Sequence, residues 1–200
     1  MVHLSAGDDV LLAVEAHLLT VLGQDSGRAS VTFLGTERID VLRFGPDPDG
    51  LVRYVTLGMS RAPMTDPTAG VVDESGPRAE LVLGVHGAVD SALRRLAVLA
   101  ASPAVEGVVV GPGALLDLGE PLWDGAPFPA VLVGEPGVPV PDLPLDPVRD
   151  HAAGDVLAAL ADSSGTGALV DRAPVRFLPL TPVVAEEAAY LRVHGADALR

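Results

Sequence analysis

Apolar residues recur at helical spacing near the start of the chain, where Val10, Leu11, Val14, Leu18 and Val21 fall on one face. Asp8 or Asp9 can cap that helix, and Gly23 is placed to end it. After a short loop the period drops to two. Residues 29–34 and 39–44 read as strands around a turn at 35–38, and the turn formers GPDPDG at 45–50 reverse the chain again. Residues 51–60 form the next strand, with Leu51, Arg53, Val55 and Leu57 alternating against Val52, Tyr54 and Thr56. These three strands form an antiparallel meander.

Residues 61–77 have no period and are interrupted by Pro63 and Pro67, which predicts a long surface loop. Residues 78–85 alternate, then turn apolar, and return to the sheet. Asp90 caps a second helix carrying Leu93, Leu96, Ala97, Leu99 and Ala100, with Pro103 at its end. A buried strand is expected at 105–110 and a last central one at 130–133. Eight prolines between Pro121 and Pro147 exclude regular internal strand through most of that stretch, so an irregular Pro-rich segment is expected at about 134–147. A short helix at 155–161, the flexible turn DSSGTG and a strand at 175–180 follow. Thr181 as cap and Pro182 in the first turn then start a C-terminal helix that closes at Gly195. This order predicts an α+β fold over residues 1–200: one domain with a mixed, largely antiparallel sheet packed with helices.

Charge and cysteine content narrow the function. With no cysteine there is no disulfide, no thiol catalysis and no thiolate metal site. A net charge of −14 argues against tracking nucleic-acid phosphates and is compatible with a basic protein partner, although solubility alone would explain it. The first residues lack the pattern of a signal peptide, and no apolar run reaches the length of a membrane span, so a cytoplasmic protein is expected.

The chemistry is sparse. Gly58-Met59-Ser60-Arg61-Ala62 lies one glycine short of the G-x-S-x-G nucleophile elbow. That elbow needs a helix directly after the serine, whereas Pro63 and Pro67 follow here. Asp117 and His151 or His194 come later in the chain, but nothing around them marks a triad. A serine hydrolase using Ser60 is therefore the alternative. The favoured role for Ser60 is to satisfy loose backbone groups at a strand end where Gly58 relieves crowding.

His3, His17, His86, His151 and His194 are too scattered for a metal site, and Asp47–Gly50 lacks the remaining ligands of a calcium loop. The glycines after Gly107 and Gly165 miss both common phosphate-binding spacings, and Glu186-Glu187 diverge on a helix. No cofactor is implied. Trp123, the sole tryptophan, is either a plug at the sheet edge or an exposed binding aromatic.

Taken in order, YVTLGMS at 54–60, RAELVL at 78–83, ALRRLAVLA at 92–100, VEGVVVGPG at 105–113, FPAVLVGEP at 128–136 and the final 25 residues form a set. That set resembles the suppressor-of-fused-like domain family in its bacterial, single-domain form. The resemblance is strongest at Thr56–Ser60, at Glu80-Leu81 and at the C-terminus. It implies a suppressor-of-fused-like domain that binds other proteins and has no known catalytic activity. In animals the related protein is a two-domain intracellular regulator that holds a transcription factor through a peptide segment. Bacterial relatives have been proposed as immunity proteins that neutralise toxins. The expected partner is thus a protein, either a toxin domain or a basic peptide segment, met through Met59, Ser60, Arg61, Met64 and Trp123.

Overall fold

The computed structural model describes residues 6–33, 37–65, 73–149 and 169–195. Helix α1 spans Ala6–Leu22, with Asp8 and Asp9 in its first turn where the helix dipole favours negative charge. It closes at Gly23, whose φ of 84° is readily adopted only by glycine and whose N–H donates to Leu19 O. Strands β1 (Gly27–Val31), β2 (Ile39–Phe44) and β3 (Leu51–Leu57) form the expected meander, β1 beginning two residues earlier than its pattern indicates. Asp47 builds the turn between β2 and β3: its carboxylate accepts from the N–H groups of Asp49 and Leu51 and pairs with Arg53.

A single 3-10 turn, Met59–Arg61, follows β3, and β4 (Arg78–His86) pairs back onto it. Helix α2 is Ala92–Glu106, β5 is Leu115–Asp117, β6 is Ala130–Val133, β7 is Val148–Arg149 and β8 is Leu169–Val170. Strand β9 (Val175–Val183) and helix α3 (Ala185–His194) complete the described elements. Seven strands make one sheet in the order β1-β2-β3-β4-β9-β6-β5, and β7 pairs with β8 separately. Within the large sheet every pairing is antiparallel except β4 with β9, so the sheet is mixed and largely antiparallel.

Alternation along the central strands explains the layering. Val41, Tyr54, Leu81 and Leu83 bury against Leu96, Ala97 and Ala100 of α2. Their neighbours Leu42, Val55 and Val82 point the opposite way and bury against Val10, Val14 and Leu18 of α1. The sheet is thus apolar on both faces and lies between the two helices. Helix α3 packs Ala188 and Leu191 on Ala130 and Val183. Burying a side chain such as Leu18 or Leu42 fully contributes roughly 2 kcal/mol.

Four local expectations are corrected. Helix α2 runs through Pro103 to Glu106 and ends at Gly107, whose φ is 66°. A proline in the last turn sacrifices one hydrogen bond without stopping the chain. Residues 105–110 therefore finish a helix and continue without regular structure, rather than forming a strand. The three-residue edge strand β5, which was not expected, pairs with β6 instead.

Thr181 and Pro182 lie inside β9, and α3 starts after Val184. Sheet pairing overrides the Thr-Pro helix signal. Pro182 faces Val131 of β6 at a point where the ladder to β4 has already ended at Leu180, so a missing N–H is tolerated. The stretch after Arg61 is not wholly surface loop, since Pro63 and Met64 are buried and Met64 N–H donates to Pro77 O. The helix expected at 155–161, the turn after it, His3 and His151 lie outside the described residues. Residues 134–147 carry no helix or strand; an isolated bridge between Leu143 and Val175 and the fully buried Val140 fasten them to the core.

Candidate functional site

Glu80 is an acidic residue of β4 that stands between Ala79 and the apolar run Leu81–Leu83, and it is fully buried. A carboxylate can occupy such a place only if donors surround it. Here four do. Its Oε1 accepts from Gly58 N at 2.8 Å, Ser60 N at 3.0 Å and Ser60 Oγ at 2.6 Å, and its Oε2 accepts from Thr56 Oγ1 at 2.6 Å. Thr56 Oγ1 in turn accepts from Leu81 N at 2.8 Å, closing the gap where β3 leaves β4.

Arg78 lies two residues earlier on β4 and is only 2% exposed. Its Nη1 donates to Ser60 O and Arg61 O, both at 2.9 Å, and its Nη2 meets Glu74 at 2.6 Å. Two alternate residues of one strand thus clamp the turn after β3. Glu80 takes its N–H groups and Arg78 takes its carbonyls. Thr56 and Ser60 supply the side-chain donors, and Gly58 and Ser60 the backbone donors, that this carboxylate requires.

Burial pushes the Glu80 carboxyl above its ordinary value of 4.5, and the hydroxyls of Ser60 and Thr56, followed by the two backbone N–H groups, act in the opposite direction. The sign follows from linkage. A carboxyl whose folded pKa is raised contributes stability below pH 4.5 that is lost as pH rises through the higher folded value. The stability advantage of the wild type over Glu80→Gln, whose amide does not titrate, is therefore expected to shrink from acid to neutral pH. Urea melts of both proteins across that range test this, and an advantage that grows with pH would contradict it.

The clamped turn forms one wall of an open groove of about 490 Å³. Its floor includes Ile39, Met59, Met64, Ala100 and Ala101, and its far wall is the C-terminal turn of α2 from Pro103 to Gly107. Arg61 lines the groove and pairs with Asp8 of α1. Glu37 and Glu106 also line it, and both are exposed.

The structure thus brings Met59, Arg61 and Met64 together at one groove. Ser60 lies behind them with its side chain fully buried and turned to Glu80. Trp123 is elsewhere. It is half-buried, with its ring centroid 5.4 Å from Phe128 at a tilt of 59°, and it lines a shallow polar depression with Asp90, Arg94 and Glu120. Asp117 pairs with Arg192, and His194 meets Tyr190 O at 3.0 Å, so neither Asp117 nor His194 is turned to Ser60. Among the described residues no three His, Asp or Glu side chains group to hold a metal, and no helix is long and apolar enough to cross a membrane.

The sequence pattern did not indicate Glu37 or the 100–107 wall, because residues 105–110 read as a strand. The run of valines carried no mark of its exposure, which is 61% at Val105 and 54% at Val109 in the structure.

Comparison with known proteins agrees with this architecture. The family model described as Suppressor of fused protein (SUFU) matches residues 35–200. Among curated protein sequences none matches the chain. A solved SUFU homolog from Neisseria gonorrhoeae FA 1090 is similar, with 17% identity over 96% of this chain and 86% of that one, at a TM-score of 0.59. The Sufu–Fu complex is similar over 94% of this chain and 80% of that one, with 14% identity and a TM-score of 0.55. Drosophila Suppressor of Fused matches over 90% of this chain but 43% of its own longer chain, with 14% identity and a TM-score of 0.50. At such identities these structures establish the shared fold, while the family match runs over well more than half of the sequence. The chain belongs to the suppressor of fused protein (SUFU) family.

Proposed function

We propose that this chain is a non-catalytic protein-binding module that acts in the bacterial cytoplasm as a toxin-neutralising immunity protein or as a regulator. The observation that carries the proposal is the groove beside Met59, Arg61 and Met64, whose wall is fixed from behind by Glu80 and Arg78. A rigid, largely apolar concavity with charged edges is what recognition of a protein segment requires. Family membership supports it, as does the fact that a suppressor-of-fused protein of the same fold has been solved bound to Fu. The net charge of −14 suits a basic partner.

The hydrolase alternative is disfavoured by the same geometry. A nucleophilic serine needs a base and an open approach. Ser60 is 0% exposed, and its hydroxyl is held 2.6 Å from a carboxylate that also accepts from its own N–H. A fluorophosphonate probe is expected to leave Ser60 unlabelled, and Ser60→Ala is expected to lower stability by roughly 1–2 kcal/mol. Covalent labelling at Ser60 would revive the alternative. A protein recovered from native lysate should bind the purified chain saturably and stoichiometrically in calorimetry. Failure of every recovered protein to do so would sink the binding proposal.

A further inference from the structure

Two features of the groove point to the chemistry of what it accepts. The first is charge. Glu37 and Glu106 stand on its lining, and neither has an ion-pair or hydrogen-bonding partner among the described residues. Among the described residues the only cation on the lining, Arg61, is paired with Asp8. The second is the apolar surface continuing out of the groove: Val105 on its wall is 61% exposed, and Val108 and Val109 just beyond are 38% and 54% exposed. Exposed valines next to a recess with an apolar floor form the kind of contiguous patch that marks a contact surface.

We propose that the groove receives a segment of a protein partner that presents one or two apolar side chains flanked by arginine or lysine. The apolar side chains enter between Met59, Met64 and Ala101, and Glu37 and Glu106 select the flanking charge. This deepens the binding-module proposal and rests on it. The carboxylates lie at the rim, in contact with water, so they act on encounter and selectivity more than on total affinity. An acidic segment is rejected by the same pair, which supplies the repulsion that specificity needs.

The test is to pan a random peptide library against the full chain. Clones are then compared on wild type, on Glu37→Gln/Glu106→Gln, and on Ala104→Trp, which fills the groove from an exposed position of α2. Enriched clones are expected to carry apolar residues beside Arg or Lys and to bind the double variant roughly fivefold more weakly, with reduced salt dependence. They are expected to lose binding to Ala104→Trp altogether. Enrichment of acidic or uncharged clones, equal binding to the filled variant, or no enrichment would each overturn the proposal. So would a concentration-dependent dimer in sedimentation that Ala104→Trp abolishes, because a second copy would then occupy the groove. If a native partner binds wild type and Ala104→Trp equally, the groove assignment fails while the binding module stands.

Discussion

Replacing Glu80 with alanine is expected to remove on the order of 4 kcal/mol of folding stability, the largest effect of any single polar substitution in this protein. The substitution strands four buried donors at once: the hydroxyls of Thr56 and Ser60 and the N–H groups of Gly58 and Ser60. Each unsatisfied group costs about 1–3 kcal/mol, partly relieved by water entering the space. Because a domain of this size has only about 5–15 kcal/mol in total, a melting point lower by about 10 °C is expected. Glu80→Gln keeps one acceptor oxygen and the side-chain volume, so it is expected to retain most of the lost stability. A loss below about 1 kcal/mol for the alanine variant would mean that the carboxylate does not hold the turn.

Gly58→Val is expected to destabilise by about 3 kcal/mol and Gly58→Ala by about 2, through backbone strain and overlap. Gly58 has φ of 142°, and a Cβ there would sit 3.0 Å from Arg38 O, 3.0 Å from Ile39 Cδ1 and 3.2 Å from Ile39 Cα. The contacts fall on Arg38 and on Ile39, the first residue of β2, which cannot shift without disturbing its pairing with Val31 of β1. A thermal melt unchanged by Gly58→Ala would contradict this role. Gly58 N–H is also a Glu80 donor, so the two sites share an interaction, and the double variant should lose less than the sum of the singles.

Much of the fold is legible from period and punctuation. β2 and β6 are found at their expected bounds because turn formers flank each of them, and α1 ends at Gly23 because only glycine readily takes the conformation there. Local signals fail for two different reasons. Thr181-Pro182 is a sound helix start in isolation, but β6 offers hydrogen bonds to that segment. Pro103 is a sound stop, but in the last turn it forfeits one hydrogen bond only, and the helix runs on through exposed residues to close at Gly107.

The site was half legible. The segment Thr56–Ser60 and the pair Glu80-Leu81 stood out as family marks, 20 residues or more apart. Their bond to each other was not visible, because a single sequence carries no record of which residues meet across a sheet. A glutamate set between Ala79 and Leu81 in a strand pattern was the available signal, since such a residue has to find donors. Met59, at the end of the expected strand 51–60, and Met64, in the expected loop after it, read as contact residues. They are buried floor residues of a groove, which makes them shape-setting groups rather than projecting anchors. The near-miss to a nucleophile elbow has a plain physical origin: a serine after glycine at a strand end suits a buried turn as well as it suits an exposed one.

The central claim is that this protein works by binding at the groove and that Ser60 serves the fold. It is tested most directly by measuring, in one titration series below the melting temperature of each variant, how a protein partner recovered from native lysate binds wild type, Ser60→Ala and Ala104→Trp. Full binding by wild type and Ser60→Ala and loss of binding by Ala104→Trp are expected. Retained binding by Ala104→Trp together with loss in folded Ser60→Ala would contradict it.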